Sequence, residues 1–396
     1  MQQGRHSSLR RWQPIMQIVV AVVAVVALIF GGVLWFRHRE STTANASPSA
    51  ETPAPAAAPA APPVCTDDPL ALPLRDKLAQ LLMVGVTGTE NAQAVVTNHH
   101  VGGIFVGSWT DLSMLGNLGE ITTAAGIFPV AVSVDEEGGR VSRLSSLIGP
   151  APSARELAAT STPDQVYAQA LQRGQAMRNL GITVDFAPVV DVSDQPDDTV
   201  IGDRSFSNDP AKVTEYAEQY ARGLRDAGLM PVLKHFPGHG HGSGDSHNMS
   251  VVTPPLSELV NDDLVPYRTL VAEPGVAVMV GHMQVPELTG DQPASLSAAA
   301  YDLLRSGSYG APGFGGTVFT DDLSSMRAIS DRFGVADAVL LSLQAGADVA
   351  LWVTTDEVSA VLDRLEQAVK AGELPEQAVN DKMLRATGFK GRNNQC

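Results

Sequence analysis

Cysteine is the scarcest chemical resource of this 396-residue chain, with Cys65 and Cys396 its only two. Two cysteines exclude a disulfide-dense scaffold and a four-cysteine metal site. Cations are also in short supply, 27 Lys and Arg against 43 Asp and Glu, for a net charge of −16. Such a chain lacks the clustered positive charge that releases counterions from phosphates, so nucleic acid is excluded as the main partner. A phosphate-cradling loop is missing too. The one glycine-rich turn after a strand-like run, EGGRVSR, has neither GxGxxG nor a GK[ST] ending, which sets nucleotide binding aside. With 44% hydrophobic and 18% charged residues, the chain can bury a large core and is not wholly disordered.

Charge is unevenly spread: residues 1–64 carry +3 and residues 65–396 carry −19. Residues 1–14 form a basic tail. Between 15 and 36 only Gln17 is polar, and such a run is long enough to cross a hydrocarbon core of about 30 Å as a helix. Arg5, Arg10 and Arg11 before it, against Arg37 and Arg39 after it, favour a cytoplasmic N-terminus. A retained anchor with the rest outside the membrane is the reading adopted. A cleaved signal, using a site such as Ala44-Asn45-Ala46, would instead release a secreted protein. Lipid attachment at Cys65 is disfavoured by the Pro-Pro-Val that precedes it.

Residues 41–64 contain nine Ala, six Pro and six Ser or Thr. They have no core to bury and read as an extended tether. The globular part then spans 65–396, bracketed by the two cysteines, which in an oxidising exterior either pair or remain terminal thiols.

Within that part, eight apolar runs recur: 81–86, 102–107, 129–135, 182–192, 230–236, 275–282, 316–322 and 348–353. Continuous rather than alternating apolar runs suit strands buried on both faces of a parallel sheet. Helical patterns separate them, most clearly from Asp209 to Gly228, where Val213, Tyr216, Tyr220 and Leu224 share one face. Eight strand-then-helix units predict an α/β fold of the (β/α)8 barrel type, in one catalytic domain.

Asp135, Asp191, Lys234, His235, His282 and Asp321 all fall at or near C-terminal strand ends, which in a barrel converge on the face that carries active sites. The densest stretch is LKHFPGHGHGSGDSHNMS (233–250), holding four of the nine histidines. His235, His239, His241 and His247 there are candidate metal ligands, while the glycines and Pro237 describe a loop able to carry catalytic groups.

KHFPGHG (234–240), followed by Asp245, Ser246 and His247, resembles the signature of family 3 glycoside hydrolases. The likeness is to the single-barrel β-N-acetylhexosaminidase branch typified by bacterial β-N-acetylglucosaminidases. DEEGGRVSRL (135–144), DFAPVVDV (185–192), IGDRSFSNDP (201–210) and VFTDDLSSMRAI (318–329) agree with it in order, across nearly all of residues 70–390. The resemblance implies a retaining exo-acting enzyme that removes terminal β-linked GlcNAc. Asp321 would be the nucleophile, and Asp322 would not. His247 would be the acid/base, oriented by Asp245, with Asp135, Arg143, Arg204, Lys234 and His235 binding the sugar. An unperturbed imidazole, titrating near about 6.5, suits giving and taking one proton at neutral pH.

One departure stands out. The family loop commonly reads GHGDT where this chain has GHGHGSG, so His241 and Gly242 replace an acid and a hydroxyl. No cofactor or metal is implied, and the expected partner is a GlcNAc-containing glycan such as a peptidoglycan fragment in cell-wall turnover. The chain names no partner subunit, which leaves a monomer as the simplest expectation. Phosphorolysis or β-glucosidase activity by the same residues, a metal-dependent hydrolase built on the histidine cluster, and a silent glycan-binding barrel remain as alternatives. They separate by sugar phosphate as product, by loss of activity with chelator, and by binding without turnover.

Overall fold

The computed structural model describes residues 68–390 apart from Ala124, Gly126 and Ile127. The basic tail, the apolar run at 15–36, the tether and both cysteines lie outside the described residues.

Ten strands form. They are β1 (Leu82–Val86), β2 (Gly103–Val106), β3 (Ala131–Val134), β4 (Glu136–Gly138), β5 (Val141–Ser142), β6 (Val184–Asp185), β7 (Met230–Phe236), β8 (Ala277–Val280), β9 (Val318–Thr320) and β10 (Ala350–Trp352). Eight of them make one parallel sheet in the order β10-β1-β2-β3-β6-β7-β8-β9. A parallel bridge between Phe319 and Val349 joins the two ends of that order, with Thr320 N donating to Val349 O at 3.0 Å. This is the (β/α)8 barrel expected from the eight apolar runs. β4 and β5 stand outside it as an antiparallel hairpin at the end of β3.

Every residue of the eight barrel strands is buried, which is why their sequences are mostly apolar rather than alternating, with Asp185, Lys234 and His235 as charged or titratable exceptions. Phe186 packs between Phe105 and Phe319, with ring centroids 5.8 and 5.5 Å away, and fills the barrel interior with aromatic surface. The 182–192 run is strand only at β6, with a further bridge from Val189 to Lys234. Pro188 in its middle has no N–H to give a ladder, so regular pairing stops before it.

The helix Pro210–Asp226 shows how the outer layer holds the site. Asp209 caps it by accepting from Ala211 N, Pro210 takes the first turn, and Val213, Tyr216, Tyr220 and Leu224 are buried. From its inner face the Tyr220 hydroxyl donates to the carbonyl of Glu136 at 3.2 Å, pinning the start of the β4–β5 hairpin.

Candidate active site

The strand ends supply the site's floor. Lys234, the fifth residue of β7, is buried, and its Nζ lies 2.6 Å from Asp135 Oδ1 and 2.6 Å from Glu137 Oε1. Arg204 meets the other side of Glu137 through a two-pronged contact, Nε to Oε2 at 2.8 Å and Nη2 to Oε1 at 2.9 Å. Burial alone would push the Glu137 carboxyl up. The charges and hydrogen bonds of Arg204 and Lys234 outweigh it and hold the carboxyl well below the usual carboxylate range. Burial likewise works against a charged Lys234, and Asp135 and Glu137 overcome it to raise the amine. Glu137, Lys234 and Arg204 therefore stay ionised, with the Asp135 carboxyl completing the cluster.

Beside it, Asp191 accepts from His235 N at 3.2 Å and from His239 N at 2.8 Å, and its Oδ2 lies 2.7 Å from His235 Nδ1. A carboxylate only accepts, so Nδ1 of His235 carries the proton and Nε2 is left for a ligand. Burial raises the Asp191 carboxyl, and the facing histidines more than reverse it, so the carboxyl titrates below its ordinary value.

Asp321 follows β9, with its backbone N–H on Val280 O at 3.0 Å. Burial works upward on this carboxyl too. The neighbouring His282 and His235 and the N–H of Asp322 outweigh it, and the carboxyl falls to about 2, so Asp321 is ionised at neutral pH. Asp322 is occupied elsewhere, accepting from the backbone and hydroxyl groups of Ser324 and Ser325. His282 is held by Ser295 Oγ at 2.7 Å and by the Asp322 carbonyl at 2.7 Å. A carbonyl only accepts, so Nε2 of His282 bears the proton.

The fourth component is the loop after β7. Gly240 brings it onto the barrel, since a Cβ there would sit 1.8 Å from the carbonyl oxygen of Val192. Its far end bears Asp245 and His247, with Nδ1 of His247 2.8 Å from Asp245 Oδ1 and Asn248 Nδ2 donating to Asp245 Oδ2 at 2.8 Å. The turn is tied to the segment after Asp321, because Arg327 N and Ala328 N donate to the carbonyls of His247 and Ser246 at 3.4 and 3.2 Å.

A cavity of ≈ 390 Å³ opens above these groups, and its lining contains Asp135, Arg143, Arg204, Lys234, His235, Asp245, His247 and Asp321. All eight residues singled out by the resemblance thus meet at one place. Arg143 lines it with a buried Nε that has no hydrogen-bond partner. The four loop histidines do not converge. His235 goes to Asp191, His239 to Ser246 Oγ at 3.3 Å, His241 to Asp263 Oδ2 at 2.9 Å and His247 to Asp245.

The sequence profile described as "Glycosyl hydrolase family 3 N terminal domain" matches residues 73–388. The chain belongs to this family. It is similar to a beta-hexosaminidase, LpqI, of Mycobacterium tuberculosis, 63% identical over 382 residues covering 96% of this chain and 97% of that protein. Among solved structures it is similar to a family 3 glycosyl hydrolase of Mycobacterium smegmatis, 70% identical with a TM-score of 0.81, covering 82% of this chain and 99% of that one. It is also similar to a family 3 beta-N-acetylglucosaminidase of a Paenibacillus species, 32% identical with a TM-score of 0.75, covering 81% of this chain and 62% of that one.

Two parts of this family 3 hydrolase's cavity escape reading by sequence. Glu137, the acid shared by Arg204 and Lys234, sits in a run of charged residues that looks solvent-exposed until its distant partners are known. Trp109 lines the mouth, 45% exposed, its ring edge-on to Phe105 at 5.9 Å. An aromatic three residues past β2 was its only signal.

Proposed function

We propose that this glycoside hydrolase is a retaining exo-β-N-acetylglucosaminidase in which Asp321 is the nucleophile and His247, oriented by Asp245, is the acid/base. One observation carries the reading: an ionised Asp321 and the Asp245–His247 pair open on the same cavity, over a floor of fixed charges. The beta-hexosaminidase and beta-N-acetylglucosaminidase relatives support the substrate class. A cavity of ≈ 390 Å³ lies at the small end of the roughly 300–1,000 Å³ of ligand sites, which suits a terminal sugar.

In the first step Asp321 attacks the anomeric carbon. Nε2 of His247 gives its proton to the glycosidic oxygen, the bond to the leaving group breaks, and a glycosyl ester forms on Asp321. In the second step His247 takes a proton from water, the water oxygen attacks the anomeric carbon, and the ester bond to Asp321 breaks. Two displacements at one carbon retain its configuration. Asp245 accepts from Nδ1 and so directs Nε2 at the substrate. Asp135 accepts from sugar hydroxyls, Lys234, Arg204 and Arg143 donate, and Nε2 of His235 accepts.

The composition of residues 1–64 supports a catalytic domain tethered outside the membrane by the 15–36 segment. There it removes terminal GlcNAc from peptidoglycan-derived fragments. The test assays the full chain on a chromogenic β-GlcNAc substrate beside the β-glucoside, with Asp321→Ala and His247→Ala in parallel, and then on muropeptides. Release of free GlcNAc, abolished by the first variant, supports the reading. Sugar phosphate as product, or turnover that survives Asp321→Ala, overturns it.

A further inference from the structure

His241, one of the two residues that depart from the family's loop pattern, does not line the catalytic cavity, and the proposed reaction leaves it unused. It meets Asp262 and Asp263, and one potential ligand atom from each of the three residues lies within 4.8 Å of the others. His241 Nδ1 stands 2.9 Å from Asp263 Oδ2. The second oxygen, Asp263 Oδ1, is buried and has no hydrogen-bond partner, on a residue only 1% exposed. Asp262 Oδ1 is in the same condition. Buried carboxylate oxygens are costly when left unsatisfied.

Both sides of this cluster are held by backbone. Asp262 and Asp263 follow the helix Leu256–Leu259 in a turn where Asp262 N and Leu264 N both donate to Leu259 O, at 3.2 and 2.9 Å. On the loop side Gly242 N donates to His239 O at 3.0 Å, and Gly238 packs so closely that a Cβ would lie 2.4 Å from Asp263 Cβ. Two carboxylates face one imidazole, and Asp194 adds to the negative field.

We propose that His241, Asp262 and Asp263 bind one divalent cation of the zinc class, which clasps the loop carrying Asp245 and His247 to the 262–263 turn. One imidazole with two carboxylates suits zinc, whereas calcium and magnesium take oxygen ligands alone. Zinc with ligands at about 2.0–2.2 Å keeps neighbouring ligand atoms roughly 3.4 Å apart, so atoms up to 4.8 Å apart here draw in, while His241 Nδ1 and Asp263 Oδ2 open slightly from 2.9 Å. His241, with 29% of its side chain exposed, gives the ion a path from solvent. The site stands on its own; only its influence on turnover rests on the reading of His247 as acid/base.

The test is equilibrium binding of Zn²⁺, with Ca²⁺ as control, to the chelator-stripped full chain, read by calorimetry and by melting temperature. The expected result is one zinc per chain and a melting temperature that rises with zinc. Affinity falls about 100-fold or more in His241→Ala and Asp263→Asn and is unchanged in His247→Ala. Should those two variants fail to fold, Asp262→Asn, at a partly exposed position, is expected to weaken binding about tenfold or more with an unchanged circular dichroism spectrum. No zinc binding by the wild type overturns the proposal. So does affinity indifferent to His241 and Asp262, or binding abolished by His247→Ala, which places the ion at the catalytic pair.

Discussion

The floor of the cavity and the loop above it are built to opposite specifications. Glu137 and Lys234 have side chains 4% and 2% exposed and share their charges with Arg204 and Asp135 in a fixed network. Asp245 and His247 also meet at 2.8 Å, but their side chains are 36% and 56% exposed. The floor is set by strand ends and costs desolvation that only complete pairing offsets. The loop pair adds little stability, as exposed pairs contribute about 0–1 kcal/mol. In the proposed mechanism, recognition thus falls to the strand-end part of the fold and proton transfer to a segment in contact with water.

That contrast orders the ways to test it. Asp321→Ala removes the group on which both displacements depend and is expected to lower kcat roughly 10⁴-fold or more, measured on an aryl β-GlcNAc. His247→Ala on the loop is expected to cost about 10²–10⁴-fold. The loss shrinks as the leaving group becomes more acidic, because protonation of the glycosidic oxygen then matters less. Glu137→Ala on the floor leaves Arg204 and Lys234 without their shared acid and is expected to destabilise the fold by about 3–5 kcal/mol in chemical denaturation. Asp245→Asn should do the reverse, lowering kcat by about tenfold while leaving the unfolding midpoint within about 1 kcal/mol of wild type. A large stability loss in Asp245→Asn, or none in Glu137→Ala, would erase the contrast.

The smallest effect lies in the acid limb of stability. Burial and the charge of His235 press His239 down to about 4 from an ordinary 6.5, so between these values the unfolded chain binds more protons and stability falls as pH drops. Asp321, at about 2 in the fold against an ordinary 3.8, contributes stability that is complete above 3.8 and lost as pH falls through 2. Melting temperatures across this range should show His239→Asn flattening the upper slope and leaving the lower one.

The barrel was legible because its strands are buried on both faces, and an apolar run such as GGIFVG or MPVLKHF announces that directly. The eight residues expected at the site come from ordered motifs that resemble a known family, and the fold brings them to one cavity. The β4–β5 hairpin was not, since strands of three and two residues are too short to show alternation. Glu136 and Glu137 were misleading in isolation. The first is buried because Arg173, Ser142 and two backbone N–H groups converge on it, and the second because residues 67 and 97 positions away in sequence neutralise it. Nor could the histidines be sorted by sequence, as four residues in one short stretch turn to four different partners.

The central claim is that Asp321 carries the sugar between the two steps, and trapping that intermediate tests it most directly. Brief reaction of the protein with a fluorinated GlcNAc analogue that forms the ester faster than it hydrolyses, followed by peptide mass spectrometry, reads the attachment site. The account predicts one sugar increment on the peptide bearing Asp321, absent from Asp321→Ala. A label on another carboxylate, or continued hydrolysis with inverted product and no label, would contradict it.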